Sequence, residues 1–247
     1  KYKLGSADIM ETIALLAPTG RAAKKINSST GLPAYTIHRY LKWFKESNEF
    51  LYNEYNRTHH KLIIVDEVSM IDVSLFNALL NGISSSVKLI LVGDTFQLPS
   101  VGPGLVLNDL IESDYFNYIP LNQIYRQSDN SYIPFLAKEI KNNDLSEDFL
   151  NKKDDYNFVS CDKSKINEAI EQIIKYSLSK NIDERNLQVL APMYRGENGI
   201  DALNVLLQNI YNPRSKTREE ITYGDIIYRE NDKVIQLVND LDNNVFL

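Results

Sequence analysis

The sequence predicts an α/β fold built on a parallel sheet, and three short apolar runs carry that prediction. Residues 13–17 close in Pro18-Thr19-Gly20, residues 62–65 close in Asp66-Glu67, and residues 87–92 close in Gly93-Asp94. Each run has the length of a buried strand, and the first two are each followed by a turn and a stretch with helical spacing. That alternation implies parallel strands covered on both faces by helices. In such sheets ligands gather outside the carboxyl ends of the strands.

The elements follow in order. After the first strand, residues 21–27 read as a helix with Ala22, Ala23 and Ile26 available for packing. A second helix begins at Thr36, where Ile37, Tyr40 and Leu41 share a face. Residues 46–60 are polar and aromatic without a period, as in an exposed hairpin or loop. The Asp66-Glu67 strand comes next, then a helix over 74–83, then the Gly93-Asp94 strand, then a loop over 99–104 broken by Pro and Gly. Composition shifts past Tyr115, and a domain boundary is placed at 118, giving domains 1–117 and 118–247. In the second, helices are expected near 133–141, 166–178 and 202–210, with a further strand over 187–192.

Composition narrows the class. The 247 residues are 43% apolar and 24% charged, ordinary values for a globular protein with enough material for one or two cores. The single cysteine, Cys161, excludes a disulfide framework and a cysteine-rich zinc site. Without a run of about 18 apolar residues, no membrane helix is expected, and cytoplasmic residence is the natural reading. The net charge of −6 argues against a nucleic-acid partner only on average, because binding depends on where the cations lie.

Chemistry concentrates at the strand ends. Mg²⁺ favours one or two carboxylates plus substrate phosphates, a role open to Asp66, while Glu67 could orient and deprotonate an attacking water. The amide of Gln97, in the Gly93-Asp94 loop, could bond a γ-phosphate oxygen or that water, or serve only its own loop. The Pro18-Thr19-Gly20-Arg21 turn precedes a helix and offers backbone N–H groups to a phosphate, though an ordinary strand-to-helix turn has the same residues. Arg126 could stabilise a transferring phosphoryl group across a cleft, or form a surface ion pair. His38 could touch a nucleic-acid backbone or simply pack. His59, His60 and Cys161 are assigned no role, and Trp43 and Phe44 are expected in the core. No Gly-x-x-x-x-Gly-Lys-Ser/Thr loop occurs, since none of the ten glycines precedes a lysine.

Taken together, APTGRAA (17–23), TIHRYL (36–41), LIIVDEVSMID (62–72), LVGDTFQLPSVGPG (91–104), LNQIYRQ (121–127) and APMYRGENG (191–199) resemble the RecD-like branch of superfamily 1 helicases. These are related to the alpha subunit of exodeoxyribonuclease V. The tail NDKVIQLVNDLDNNVF is similar to the segment that leads into a small β-barrel in that family. The resemblance implies two RecA-like, P-loop-NTPase-type domains, 1A and 2A, the first lacking its phosphate loop and the second incomplete. It implies ATP and Mg²⁺ as cofactors, single-stranded DNA as partner, and 5′→3′ translocation with duplex unwinding in DNA repair and recombination. It assigns Asp66 and Glu67 to Mg²⁺ and water activation, Gln97 to γ-phosphate sensing and Arg126 to the arginine finger. Pro18, Thr19, Gly20, Arg21, Thr36 and His38 match segments that grip the DNA backbone, and Arg195 falls in a further matching motif.

Lys1 and the apolar end at Leu247 suggest an excerpt of a longer protein, expected to be inactive alone. The parent could act singly or with nuclease and helicase partner subunits of an exodeoxyribonuclease V-type complex. Two other readings stay open: an RNA-directed superfamily 1 helicase or non-helicase ATPase, and a non-catalytic DNA-binding or assembly module.

Overall fold

The computed structural model describes residues 11–121 and 131–235, which fall into two compact units divided between those segments. The first unit carries a four-stranded, all-parallel sheet in the order β2-β1-β5-β6, built from β1 (Ile13–Ala17), β2 (Ala34–Thr36), β5 (Leu62–Val65) and β6 (Lys88–Leu91). Three of these strands are the runs the sequence marks out. β2 has only three residues, too few to show a period, and pairs with β1 through Leu15↔Ala34 to Ala17↔Thr36.

Helix α1 (Gly20–Thr30) follows β1, and Thr19 caps it by accepting the Ala22 N–H at 3.2 Å. Helix α2 is a single turn, Ile37–Tyr40, capped by Thr36 accepting the Arg39 N–H at 3.2 Å. It leads into the short antiparallel hairpin of β3 (Trp43–Phe44) and β4 (Glu49–Phe50), inside which Trp43 pairs with Phe50. Helix α3 (Val73–Gly82) starts at Asp72, whose Oδ1 accepts the Leu75 N–H at 2.7 Å. Helix α4 (Val106–Glu112) was not anticipated; seven residues give less than two full turns of periodicity.

The core lies on one face of the sheet. Leu16, Ile63 and Val65 are fully buried there with Ile37, Leu41, Val68, Ile71 and Leu79. Each such side chain withdrawn from water contributes about 1.5–3 kcal/mol. Alternate residues Leu15, Leu62 and Ile64 are half-buried and Ile90 is 41% exposed, so the described residues cover the second face only in part. Beneath the hairpin, the Tyr40 hydroxyl donates to Thr58 Oγ1 at 2.9 Å and lies 3.0 Å from His60 Nδ1. Burial raises the Tyr40 pKa above the ordinary phenol value. His60, which the sequence left without a role, therefore belongs to a buried polar network. Phe44, expected in the core, is 48% exposed, because β3 runs out into the hairpin and away from the sheet.

The second unit contains α5 (Ile133–Lys141), α6 (Ile166–Ser179), α7 (Ile200–Tyr211) and an antiparallel hairpin of β7 (Glu220–Tyr223) and β8 (Ile226–Arg229). The hairpin is fastened to α7 by polar groups. The Asp232 carboxylate accepts from Gln208 Nε2 at 2.6 Å, Asn212 Nδ2 at 2.7 Å and the Arg229 N–H at 2.7 Å. Burial pushes the Asp232 pKa up, but these donors outweigh it and hold the carboxyl below its ordinary value. Residues 187–192, expected as a strand, make no sheet ladder among the described residues, and Leu190 is 87% exposed. An apolar run becomes a strand only where a neighbour supplies the other half of its hydrogen bonds.

Candidate nucleotide and nucleic-acid site

The register of the sheet draws most of the sequence-predicted groups to one edge. Ala17 pairs with Thr36, Leu16 with Val65, and Val65 with Leu91. One residue further on, the Asp66 N–H donates to the Leu16 carbonyl at 2.9 Å, so the ladder continues through the first acid. The Val92 N–H donates to the Val65 carbonyl at 2.8 Å, and the Val68 N–H returns to the Val92 carbonyl at 3.0 Å. Thr36, Ala17, Asp66 and Val92 thus form a row across the carboxyl edge. With strands about 4.8 Å apart, Thr36 lies two steps, or roughly 10 Å, from Asp66.

Asp66 and Glu67 are both half-buried. Glu67 adopts φ 56° and ψ 42°, the left-handed region, and its N–H donates to Asp66 Oδ1 at 2.9 Å. For a residue with a side chain this conformation costs on the order of 1–3 kcal/mol and persists only where the surroundings enforce it. It turns the chain out of β5 into the 3-10 turn Val68–Met70 and fixes one oxygen of Asp66 in doing so.

Gly93 shows what holds the neighbouring loop in place. A Cβ there would meet Leu107 Cδ2 at 2.8 Å and the Val68 and Ser69 nitrogens at 3.2 Å. The acidic turn and the Gly93-Asp94 loop are therefore in direct backbone contact. The Ser69 hydroxyl is buried in this region without a hydrogen-bond partner among the described residues. In the loop, the Gln97 N–H donates to the Asp94 carbonyl at 3.1 Å and the Gln97 side chain is exposed. Farther on, the chain folds back over the start of α3. A Cβ on Gly102 would lie 2.1 Å from Asp72 Oδ2, and the Val73 N–H donates to the Pro103 carbonyl at 3.1 Å.

The turn Pro18-Thr19-Gly20 is half-buried at the end of β1, and Arg21 is exposed. Thr19 and Thr36 each spend a lone pair on a helix cap, which leaves the hydroxyl proton of each able to donate. His38 is on the surface, with ring centroids 6.1 Å from Trp43 and 5.8 Å from Phe50. Crowding by these rings lowers its pKa through loss of hydration, opposed by the nearby negative charge of Asp72. Its resting form is accordingly the neutral imidazole at pH 7. Arg126 lies outside the described residues. Arg195 is exposed in the turn before α7.

Asp66, Glu67, the Gly93 loop, the Thr19 turn and Thr36 are thus assembled by the sheet itself. Sequence reasoning missed the aromatic surroundings of His38, which depend on the pairing of Trp43 with Phe50 across the hairpin. It also passed over Asp72, whose side chain caps α3.

The AAA domain profile matches residues 4–164, and that of the ATP-dependent RecD-like DNA helicase SH3 domain matches residues 203–246, beginning inside α7 and taking in the β7–β8 hairpin. The ATP-dependent RecD2 DNA helicase of Deinococcus radiodurans is 32% identical over 244 residues, covering 97% of this chain and 32% of its own length. The RecBCD enzyme subunit RecD of Mycolicibacterium smegmatis is 38% identical over 117 residues, 40% of this chain and 21% of that protein. The chain therefore spans a third or less of these relatives. Among solved structures, a Bacteroides Pif1 helicase in complex with ADP-AlF3 and single-stranded DNA covers 72% of this chain and 50% of its own, at 18% identity and a TM-score of 0.37. With its parallel sheet and paired acids at the carboxyl edge, the chain belongs to the AAA-domain family, and its later part matches the SH3 domain of ATP-dependent RecD-like DNA helicases.

Proposed function

We propose that the protein carrying this chain is an ATP-driven motor that moves 5′→3′ along single-stranded DNA and unwinds duplex. The observation that carries the proposal is the row at the carboxyl edge, where Asp66 and Glu67 sit beside the Gly93–Gln97 loop and one strand away from the Thr19 turn. Hydrolysis and grip on DNA would then share one rigid strip of sheet.

Asp66 suits Mg²⁺: it is a single half-buried carboxylate with one oxygen already oriented, and the described residues hold no cluster of three or more ligating side chains. Mg²⁺ needs no more from the protein than one or two carboxylates, because substrate phosphates and water complete its shell. Bound there with ATP, the ion would neutralise charge on the phosphates. Glu67 would take the proton of the attacking water, and Gln97 would bond the γ-phosphate. Arg126 would offset charge on the departing phosphoryl group. Thr19, Thr36 and the N–H groups at the start of α1 would donate to the DNA backbone with Pro18, Gly20 and Arg21 shaping the contact, while neutral His38 adds one hydrogen bond. We place the boundary between motor domains 1A and 2A at residue 118.

The test is Glu67→Gln in the full-length protein. DNA-stimulated ATP hydrolysis should fall by about 10²–10⁴, the usual contribution of a general base, with nucleotide binding retained. An unchanged turnover number would favour a non-catalytic module. Comparing stimulation by DNA and RNA strands separates a DNA motor from an RNA-directed one. Relatives named as RecBCD subunits favour, as a second reading, assembly with nuclease partners, which co-purification with such subunits would reveal.

A further inference from the structure

A pocket of about 280 Å³ opens beside the edge strand β2 and the start of β5, lined by Tyr35, Arg39, Lys42, Tyr52 and His59. Its floor is rigid. Thr58 and Tyr40, 5% and 9% exposed, are joined by the 2.9 Å bond from the Tyr40 hydroxyl, and the Thr58 N–H donates to the Gly82 carbonyl at 2.8 Å. Its rim is cationic and aromatic. Arg39 Cζ stands 5.4 Å from the centre of the Tyr35 ring, and Lys42 Nζ stands 5.2 Å from that of Tyr52. The backbone keeps the second pair in register, since the Leu51 N–H donates to the Lys42 carbonyl and the Tyr52 N–H to the Leu41 carbonyl, each at 3.1 Å.

Charge identifies the ligand. No carboxylate lines the pocket, and among the described residues none pairs with Arg39 or Lys42. In a chain of net charge −6, two cations held against aromatic faces without a counter-charge are an anion site with stacking surfaces beside it. That combination is the one by which proteins hold single-stranded nucleic acid without reading its sequence. The volume lies at the lower end of ligand pockets, about 300–1,000 Å³, and so suits one small unit.

We propose that this pocket seats one nucleotide of a DNA strand, its phosphodiester between Arg39 and Lys42 and its base against the Tyr35 or Tyr52 ring. It is separate from the carboxyl-edge row and gives the strand a second hold at the foot of the β3–β4 hairpin. The inference rests on the reading that the protein binds DNA.

The experiment uses the full-length protein and an oligonucleotide of deoxythymidine carrying 5-iodouracil. Irradiation should join the strand to a peptide containing Tyr35 or Tyr52. The double variant Arg39→Gln, Lys42→Gln, checked for folding by near-ultraviolet circular dichroism, should lose about tenfold in affinity for the unmodified strand. It should also flatten the salt dependence by roughly 0.7 for one lost phosphate contact. Wild-type protein that binds no DNA defeats the functional reading itself. Wild-type binding with unaltered affinity and salt slope in the double variant, and with every cross-link elsewhere, defeats the pocket alone. Deoxythymidine monophosphate that displaces the strand from the wild type and binds it, but not the double variant, as tightly as the strand does would mark a free-nucleotide site and also overturn the proposal.

Discussion

At the scale of a residue, Glu67 combines a proposed catalytic side chain with an unfavourable backbone. Its φ of 56° is tolerable for glycine and costly for glutamate, yet this is the residue proposed to activate water. Two substitutions separate these properties. Glu67→Gly should raise stability by about 1 kcal/mol, read as a higher urea midpoint, because the strain disappears. Glu67→Gln, which keeps the strain, should leave the midpoint unchanged while abolishing most turnover. Equal midpoints for glycine and glutamine would show that the turn is not strained. Gly93 makes the converse case. Gly93→Ala must displace either Leu107 or the Val68–Ser69 backbone, and overpacking of that kind typically costs about 1–3 kcal/mol. A midpoint equal to that of the native chain would contradict so close an approach of the two loops.

Among the elements, the hairpin and α3 meet around His38 and Asp72. Because His38 is held below the ordinary histidine value of 6.5, its neutral form is favoured in the folded state. The stability this contributes is present above pH 6.5 and is lost as the pH falls towards the folded-state value. Nuclear magnetic resonance titration of the His38 ring should give a midpoint below 6.5, and Asp72→Asn should lower it further by removing the opposing negative charge. A midpoint above 6.5 would mean that Asp72 outweighs the loss of hydration. How far such features are legible in a sequence depends on what fixes them. β1, β5 and β6 are plain because the strands of a parallel sheet are written as near-continuous apolar runs, and the acids are plain because they follow such a run at once. His38 and its rings are not, because Trp43 and Phe50 meet only after the hairpin closes. The β7–β8 hairpin is likewise hidden: Asp232, Asn212 and Gln208 hold it through hydrogen bonds between residues up to 24 positions apart, and no local period encodes them. The reverse error, at 187–192, comes from an apolar run whose pairing partner no single-strand pattern can supply.

On the scale of the whole molecule, an acidic protein must bind an acidic polymer if the proposed function holds. With 33 acidic against 27 basic side chains, long-range attraction towards DNA is unfavourable on average. Affinity must then come from local contacts at the Thr19 turn, Thr36 and the Arg39–Lys42 pocket. Two consequences follow from counting cations. The logarithm of the binding constant for single-stranded DNA should fall with the logarithm of salt concentration by about 0.7 for each phosphate neutralised, and one phosphate at Arg21 with one shared by Arg39 and Lys42 sets a modest slope of about 1.4. Association should also be slower than electrostatic steering allows, and should not quicken as salt is lowered from about 0.15 M, because a screening length grown beyond about 8 Å lets the strand feel the net negative charge of the chain. Titration of a fluorescent oligonucleotide at several salt concentrations, with stopped-flow association rates, measures both. A slope near zero would remove the phosphate contacts from the mechanism. A slope several times larger, with steered association, would locate the main DNA-binding surface on parts of the protein other than these two sites.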